Sequence, residues 1–132
     1  MKKILSSIVS DIQRTDFFSD FKYRKRDCSF NYKTSEGRQF VELDHWIDDS
    51  TSSLVIYPIY AVRFDILSRW FERFSLKTIQ DQRDRPSIAF SGDMISQTDT
   101  FNFKLNGIDY DKSLMLLLQT LVVSSRAVFR DL

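Results

Sequence analysis

The segment from Arg38 to Val62 constrains the fold more than any other part of this sequence. In its first half Val41, Leu43, His45 and Ile47 alternate with Phe40, Glu42, Asp44, Trp46 and Asp48. A period of two belongs to a pleated strand, whose successive side chains point to opposite faces, and it does not fit a helical repeat. One face of this strand is apolar, and the other mixes aromatic rings with carboxylates. Asp49-Ser50-Thr51-Ser52 supplies turn residues. Leu54–Val62 then runs apolar on both faces and is rich in β-branched and aromatic residues, the composition of a central strand covered on both sides. Pro58 argues instead for an edge or a bulge, because it brings no N–H to a ladder. Upstream, Cys28, Phe30 and Tyr32 alternate with Ser29, Asn31 and Lys33, and Ser35-Glu36-Gly37 turns the chain back, with Gly37 free to take a positive φ.

Helical spacing frames these strands. Ile4, Leu5, Ile8, Val9 and Ile12 mark a first amphipathic helix ending near Asp16. Phe17, Phe18 and Phe21 lead into the core, and a turn or bulge is expected near Lys25–Asp27. Ile66, Leu67, Trp70, Phe71 and Phe74 predict a second helix with Asp65 as its cap. Asp81–Pro86 reads as a charged connection, Ser87–Phe90 and Phe101–Leu105 as short strands around the polar loop Gly92–Thr100, and Asn106-Gly107 as a turn. From Asp109, whose side chain can cap, Leu114, Leu117, Leu118, Leu121, Ser125 and Val128 predict a long final helix. Met115, Leu116, Val122, Val123 and Phe129 widen its apolar surface, so this helix is either deeply buried or meets a partner. The order is αβββαββα: one α+β domain over residues 1–132, with an antiparallel sheet and N-terminal, middle and C-terminal helices.

Composition narrows the chemistry. Nineteen basic against eighteen acidic residues give a formal charge of +1, which argues against binding driven by bulk charge. Twelve Phe stand against three Gly, one His and one Cys. That leaves little for phosphate loops, four-ligand zinc sites or an internal disulfide, so no metal and no cofactor is expected. Met1-Lys2-Lys3 begins like a signal peptide, but Ser6, Ser7, Asp11 and Arg14 break the apolar stretch. The runs Leu54–Val62 and Leu114–Val123 fall short of the roughly 20 residues a bilayer needs, so a cytoplasmic location without a membrane is expected.

The strand face carrying Phe40, Glu42, Asp44, Trp46 and Asp48, with Asp49 beyond it, is the strongest binding candidate. Aromatic anchors with flanking carboxylates suit a basic protein partner, although Phe40 and Trp46 would equally fit beneath the last helix. His45 shares the apolar parity and reads as a hydrogen-bonded structural residue rather than a general base, since Asp44 points to the other face. Cys28 reads as a core thiol rather than a nucleophile activated by Arg24, Lys25 or Arg26. Lys22-Tyr23-Arg24-Lys25-Arg26 offers cations and a ring to nucleic acid, but its footprint is small and a solvated turn is preferred.

The run Phe21-Lys22-Tyr23-Arg24-Lys25-Arg26-Asp27-Cys28-Ser29-Phe30-Asn31-Tyr32 resembles the opening of small bacterial domains that include immunity proteins of polymorphic-toxin and contact-dependent secretion systems. The resemblance implies a cytoplasmic immunity protein that neutralises a cognate toxin by stoichiometric occlusion, without catalysis. The element order is also similar to that of small dimeric type III secretion chaperones, which implies a dimer or client-binding role for Leu114–Phe129. A small nucleic-acid-binding module or an enzyme using Cys28 or His45 is the remaining alternative.

Overall fold

The computed structural model describes residues 2–72, 88–91 and 100–129. Helix α1 (Lys2–Gln13) is followed by a short 3-10 turn at Asp16–Phe18 and strand β1 (Lys22–Arg24). A second 3-10 turn at Lys25–Asp27 leads into β2 (Ser29–Thr34), β3 (Gly37–Asp48) and β4 (Ser53–Phe64). Helix α2 (Asp65–Glu72), strands β5 (Ile88–Ser91) and β6 (Phe101–Lys104), and helix α3 (Tyr110–Phe129) complete the described chain. The molecule is α+β, as the periodicities require; among the described residues they did not separate the three-residue strand β1, and α1 ends at Gln13 instead of near Asp16, where a distinct 3-10 turn begins.

Strands β1 to β5 lie side by side in chain order, and β6 joins the free edge of β4 next to β5, so every pairing is antiparallel. All of β3 pairs with all of β4, from Gly37 opposite Phe64 to Asp48 opposite Ser53. Along its other edge β4 pairs with β6 from Ser53 to Ile56 and with β5 from Ile59 to Val62. Tyr57 and Pro58 fall in the interval between these two ladders. The Leu43 N–H donates to the Cys28 carbonyl at 2.9 Å, so Leu43 directs its hydrogen bonds toward β2. Its β4 partner Pro58 therefore belongs to a non-hydrogen-bonded pair and turns its nitrogen to that interval. Pro58 thus lies in a central strand, at a place where, among the described residues, no ladder asks for its missing proton.

Helices α1 and α3 cover one face of the sheet. Val41, Leu43, Leu54, Ile56, Tyr60 and Phe103 form a common core with Ile8 and Ile12 of α1 and Leu117 and Leu121 of α3. The Tyr110 hydroxyl donates to Asp11 Oδ2 at 2.7 Å and ties the two helices together. At the tip of the β2–β3 hairpin the Gly37 N–H donates to Thr34 Oγ1 at 3.1 Å. Gly37 takes the expected positive φ, 157°, and close approach demands glycine as well: a Cβ there would lie 1.7 Å from the Arg63 carbonyl oxygen. Next to it, the Asp65 N–H donates to the Glu36 carbonyl, fixing the exit from β4 to the same hairpin.

Other expectations change too, and Asp65, expected as the cap of the second helix, is its first residue. Cys28 precedes β2 instead of belonging to it: it closes the 3-10 turn in the left-handed region at φ 52°, while its thiol still enters the core. Asp109 leads into α3 at φ 59° and serves it through its backbone carbonyl, which accepts from the Ser113 N–H, rather than through a side-chain cap. In α2, Ile66 and Leu67 are exposed although their spacing matched an inner stripe. Finally, α3 is long and apolar enough by length and composition to cross a membrane, against the expectation that no segment is, yet its inner side packs on the sheet. The side chains of Trp70 and Phe71, Phe74, the Asp81–Pro86 connection, Ser87 and residues 92–99 of the polar loop lie outside the described residues.

The two sides of α3 make the packing testable. Leu121→Ala is expected to lower unfolding free energy in urea by about 2–5 kcal/mol, whereas Met115→Ala stays within about 0.5 kcal/mol. Gly37→Ala, which must displace backbone, is expected to cost at least about 2 kcal/mol in the same measurement.

Candidate functional site

Because the helices occupy the face of Val41 and Leu43, strand parity sends Phe40, Glu42, Asp44, Trp46 and Asp48 to the opposite face. The last helix therefore covers neither Phe40 nor Trp46. Register places Ala61, Ile59, Tyr57, Val55 and Ser53 across from these five residues in turn. The two aromatic candidates nevertheless differ. Trp46 is 45% exposed, whereas Phe40 is only 7% exposed, with the Arg38 guanidinium 5.4 Å above its ring. Phe40 is therefore not available as an anchor, and Trp46 is.

The carboxylates also separate. Asp44 and Asp49 are exposed. Asp48 Oδ1 accepts the Ser50 N–H at 3.1 Å and the Ser50 hydroxyl at 2.6 Å, so it organises the β3–β4 turn, and these bonds hold its carboxyl below the usual range. Glu42 is half-buried; burial first, and then the charges of Asp27 and Asp44, raise its pKa, with Arg24 opposing. Asp27 behaves in the opposite way. Burial alone would raise it, but hydrogen bonds from Arg24 and Ser29 outweigh that and lower it. The Arg24 guanidinium forms a close ion pair with the Asp27 carboxylate, Ser29 Oγ donates to it at 2.6 Å, and Asn31 Nδ2 donates to Ser29 Oγ at 2.9 Å. This chain staples the Lys25–Asp27 turn to the outer face of β2. Sequence reading missed it, although the Arg24/Asp27 spacing matches one turn of helix and was the available signal.

A groove of about 770 Å³ runs between α1 and this end of the sheet, and it gathers Cys28, His45, Asp27, Glu42, Asp44 and Arg26. His45 Nδ1–H donates to the Leu43 carbonyl at 3.0 Å, which fixes the ring against its own strand. Asp44 accepts the backbone N–H of His45, so it does not orient the ring. The Cys28 thiol is buried and accepts the Tyr23 hydroxyl at 3.4 Å; burial pushes its pKa up, the reverse of what an activated thiolate needs. Tyr23 is committed to the fold too: its ring packs on Phe30 with centroids 5.1 Å apart, and its hydroxyl is spent on Cys28. Among the described residues no group of three or more His, Cys, Asp or Glu is arranged to hold a metal ion.

No family model, curated protein or solved structure matches the chain. The site's chemistry is therefore argued from its residues: a solvent-facing indole with exposed carboxylates on a long strand, near a groove that sets a few polar groups in a largely apolar lining.

Linkage gives Asp27 and Glu42 opposite signs. Asp27, with its pKa depressed on folding, stabilises above the unfolded value, and that contribution is lost as pH falls through the folded value. Asp27→Asn is thus expected to lower Tm at pH 7 by about 3–5 °C, with the difference fading on acidification. Glu42, with its pKa raised on folding, makes stability fall as pH rises through the folded value. Glu42→Gln is expected to raise Tm at pH 7 by about 1–3 °C, and to match the parent below about pH 4, in calorimetric scans.

Proposed function

We propose that this chain is a protein-binding domain and, in the reading its residues support best, a cytoplasmic immunity protein that neutralises a cognate bacterial toxin by stoichiometric occlusion. The observation that carries the binding part is Trp46, a large aromatic left 45% exposed on a sheet face that neither α1 nor α3 covers. Exposed indoles surrounded by polar groups are the commonest energetic anchors of protein interfaces. Asp44 and Asp49 beside it are exposed and belong to no ion pair among the described residues, so they are available to a basic partner. Their contribution is to steer encounter and fix register rather than to add affinity in bulk. The toxin part rests on the resemblance of Phe21–Tyr32 to the opening of immunity proteins.

A second reading, a dimeric secretion chaperone, has one observation in its favour. Met115, Leu116 and Val123 are 61%, 53% and 65% exposed on the outer side of α3, an apolar stripe of the kind that pairs subunits or holds a client strand.

The two readings part in solution. If the first holds, the product of the adjacent gene co-purifies with this chain one to one. Trp46→Ala then weakens that complex at least about 30-fold. The double variant Asp44→Lys, Asp49→Lys mainly slows association, by about tenfold at low salt. Unchanged binding in variants that retain the parent's circular dichroism sinks the surface assignment. A strict monomer by light scattering at high concentration sinks the chaperone.

A further inference from the structure

A second concavity, of about 480 Å³, lies near the opposite end of β3 on the helix-covered side, between the Asp16–Phe18 turn, β2 and the end of α3. Gln39 on its wall is seven residues from Trp46, about 23 Å along the strand, and points to the other face. The pocket is therefore separate from the proposed protein-binding surface.

Its walls are aromatic. Phe17 and Phe21 stack with centroids 5.8 Å apart, Phe21 and Tyr32 follow at 5.3 Å, and Phe129 closes the side formed by α3. Three of these rings keep part of their surface open: Phe17 and Phe21 are half-buried, and Tyr32 is 38% exposed. Packing has left an aromatic cluster unfinished, which is the usual lining of a small-molecule site. The polar groups are few and placed apart. Asp20 and Arg126 are both exposed and both line the pocket, yet they form no ion pair with each other or with any other described residue. The Arg126 guanidinium is held 5.6 Å above the Phe17 ring, so the cation stays over the aromatic wall. Ser125, which also lines the pocket, is fully buried, and its Oγ has no hydrogen-bond partner. A buried hydroxyl without a partner is costly unless something supplies one.

We infer that this pocket binds an aromatic α-amino acid. The ring takes the unfinished aromatic cluster, the carboxylate meets Arg126, the ammonium meets Asp20, and a phenolic hydroxyl or indole N–H reaches toward Ser125. Each feature excludes a simpler ligand. A plain hydrocarbon leaves both charges and the hydroxyl unused, an anion alone is repelled by Asp20, and a cation alone by Arg126. The indole or phenol end distinguishes tryptophan and tyrosine from phenylalanine.

The test is titration of isotope-labelled protein with free tyrosine, tryptophan and phenylalanine, and with indole as a ring without charges, followed by NMR chemical shifts. Saturable shifts at Phe17, Phe21 and Tyr32, with a Kd on the order of 1 mM or tighter, support the site. Phenylalanine binds about 3–10-fold more weakly than the better of the other two. Asp20→Asn combined with Arg126→Gln, both exposed positions, weakens tyrosine and tryptophan about 3–10-fold and leaves indole unchanged. Trp46→Ala leaves all four unchanged. The inference is overturned by absence of saturation for every amino acid, by indole binding as tightly as tryptophan, or by affinities that the double variant does not move while its spectrum remains that of the folded protein.

Discussion

The pairing of β3 with β4 is the constraint on which the rest of the structure depends. Twelve residues of each strand are joined without a bulge, from the Gly37 end to the Asp48 end. Because side chains alternate with a period of two, this single register decides the face of every residue on both strands at once. A slip of one position would put Glu42 and Asp44 against α1 and α3 and send Val41 and Leu43 to water. Gly37 guards against such a slip at one end, since only a residue without Cβ can lie against the Arg63 carbonyl. At the other end the Asp48–Ser50 hydrogen bonds hold the turn. Placement of Trp46 on the outer face follows from this register, as does the burial of Tyr60 in the core.

Around that frame the polar residues divide between those spent on structure and those left for solvent. Arg24, Asp27, Ser29 and Asn31 form a hydrogen-bonded series that fixes an irregular turn, and Cys28 and Tyr23 satisfy each other on its inner side. This accounts for most of the basic segment's apparent functional content. The cationic run with its interleaved ring is, in three dimensions, a turn in which Arg24 is paired with Asp27 and Tyr23 is packed on Phe30. Among the described residues Asp44, Asp49 and Trp46 join no such series, Asp44 accepting only the neighbouring His45 N–H, and the difference makes them the better candidates for recognition.

Helix α3 presents an unusual distribution. Ser124 and Ser125 are buried between Leu121 and Val128, while Met115, Leu116 and Val123 face outward. Small side chains at the inner positions let a helix approach a sheet that already carries bulky rings such as Tyr60 and Phe103. The inner face is therefore limited by volume as much as by polarity. Hydropathy alone, which ranks serine below methionine, cannot anticipate that choice.

Much of the architecture was legible in the sequence, because it is written in local periodicity. The alternation of β3, the apolar run of β4, the turns at Ser35–Gly37, Lys25–Asp27 and Asn106–Gly107 and the long final helix appear where spacing and turn chemistry put them, while β2 starts one residue later than the alternation suggests and α1 stops at Gln13 instead of near Asp16. By itself the sequence also determined that Glu42, Asp44 and Trp46 share one face of a strand, since parity needs no tertiary information. It could not say which face the helices would cover, that Phe40 would be buried while Trp46 stayed open, that Pro58 would meet a gap between two ladders, or that Phe17, Phe21, Tyr32 and Phe129 would converge around an unpartnered serine. Those outcomes depend on contacts between residues far apart in the chain, where the volume and hydrogen bonds of the neighbour decide the environment, and no local period encodes the neighbour.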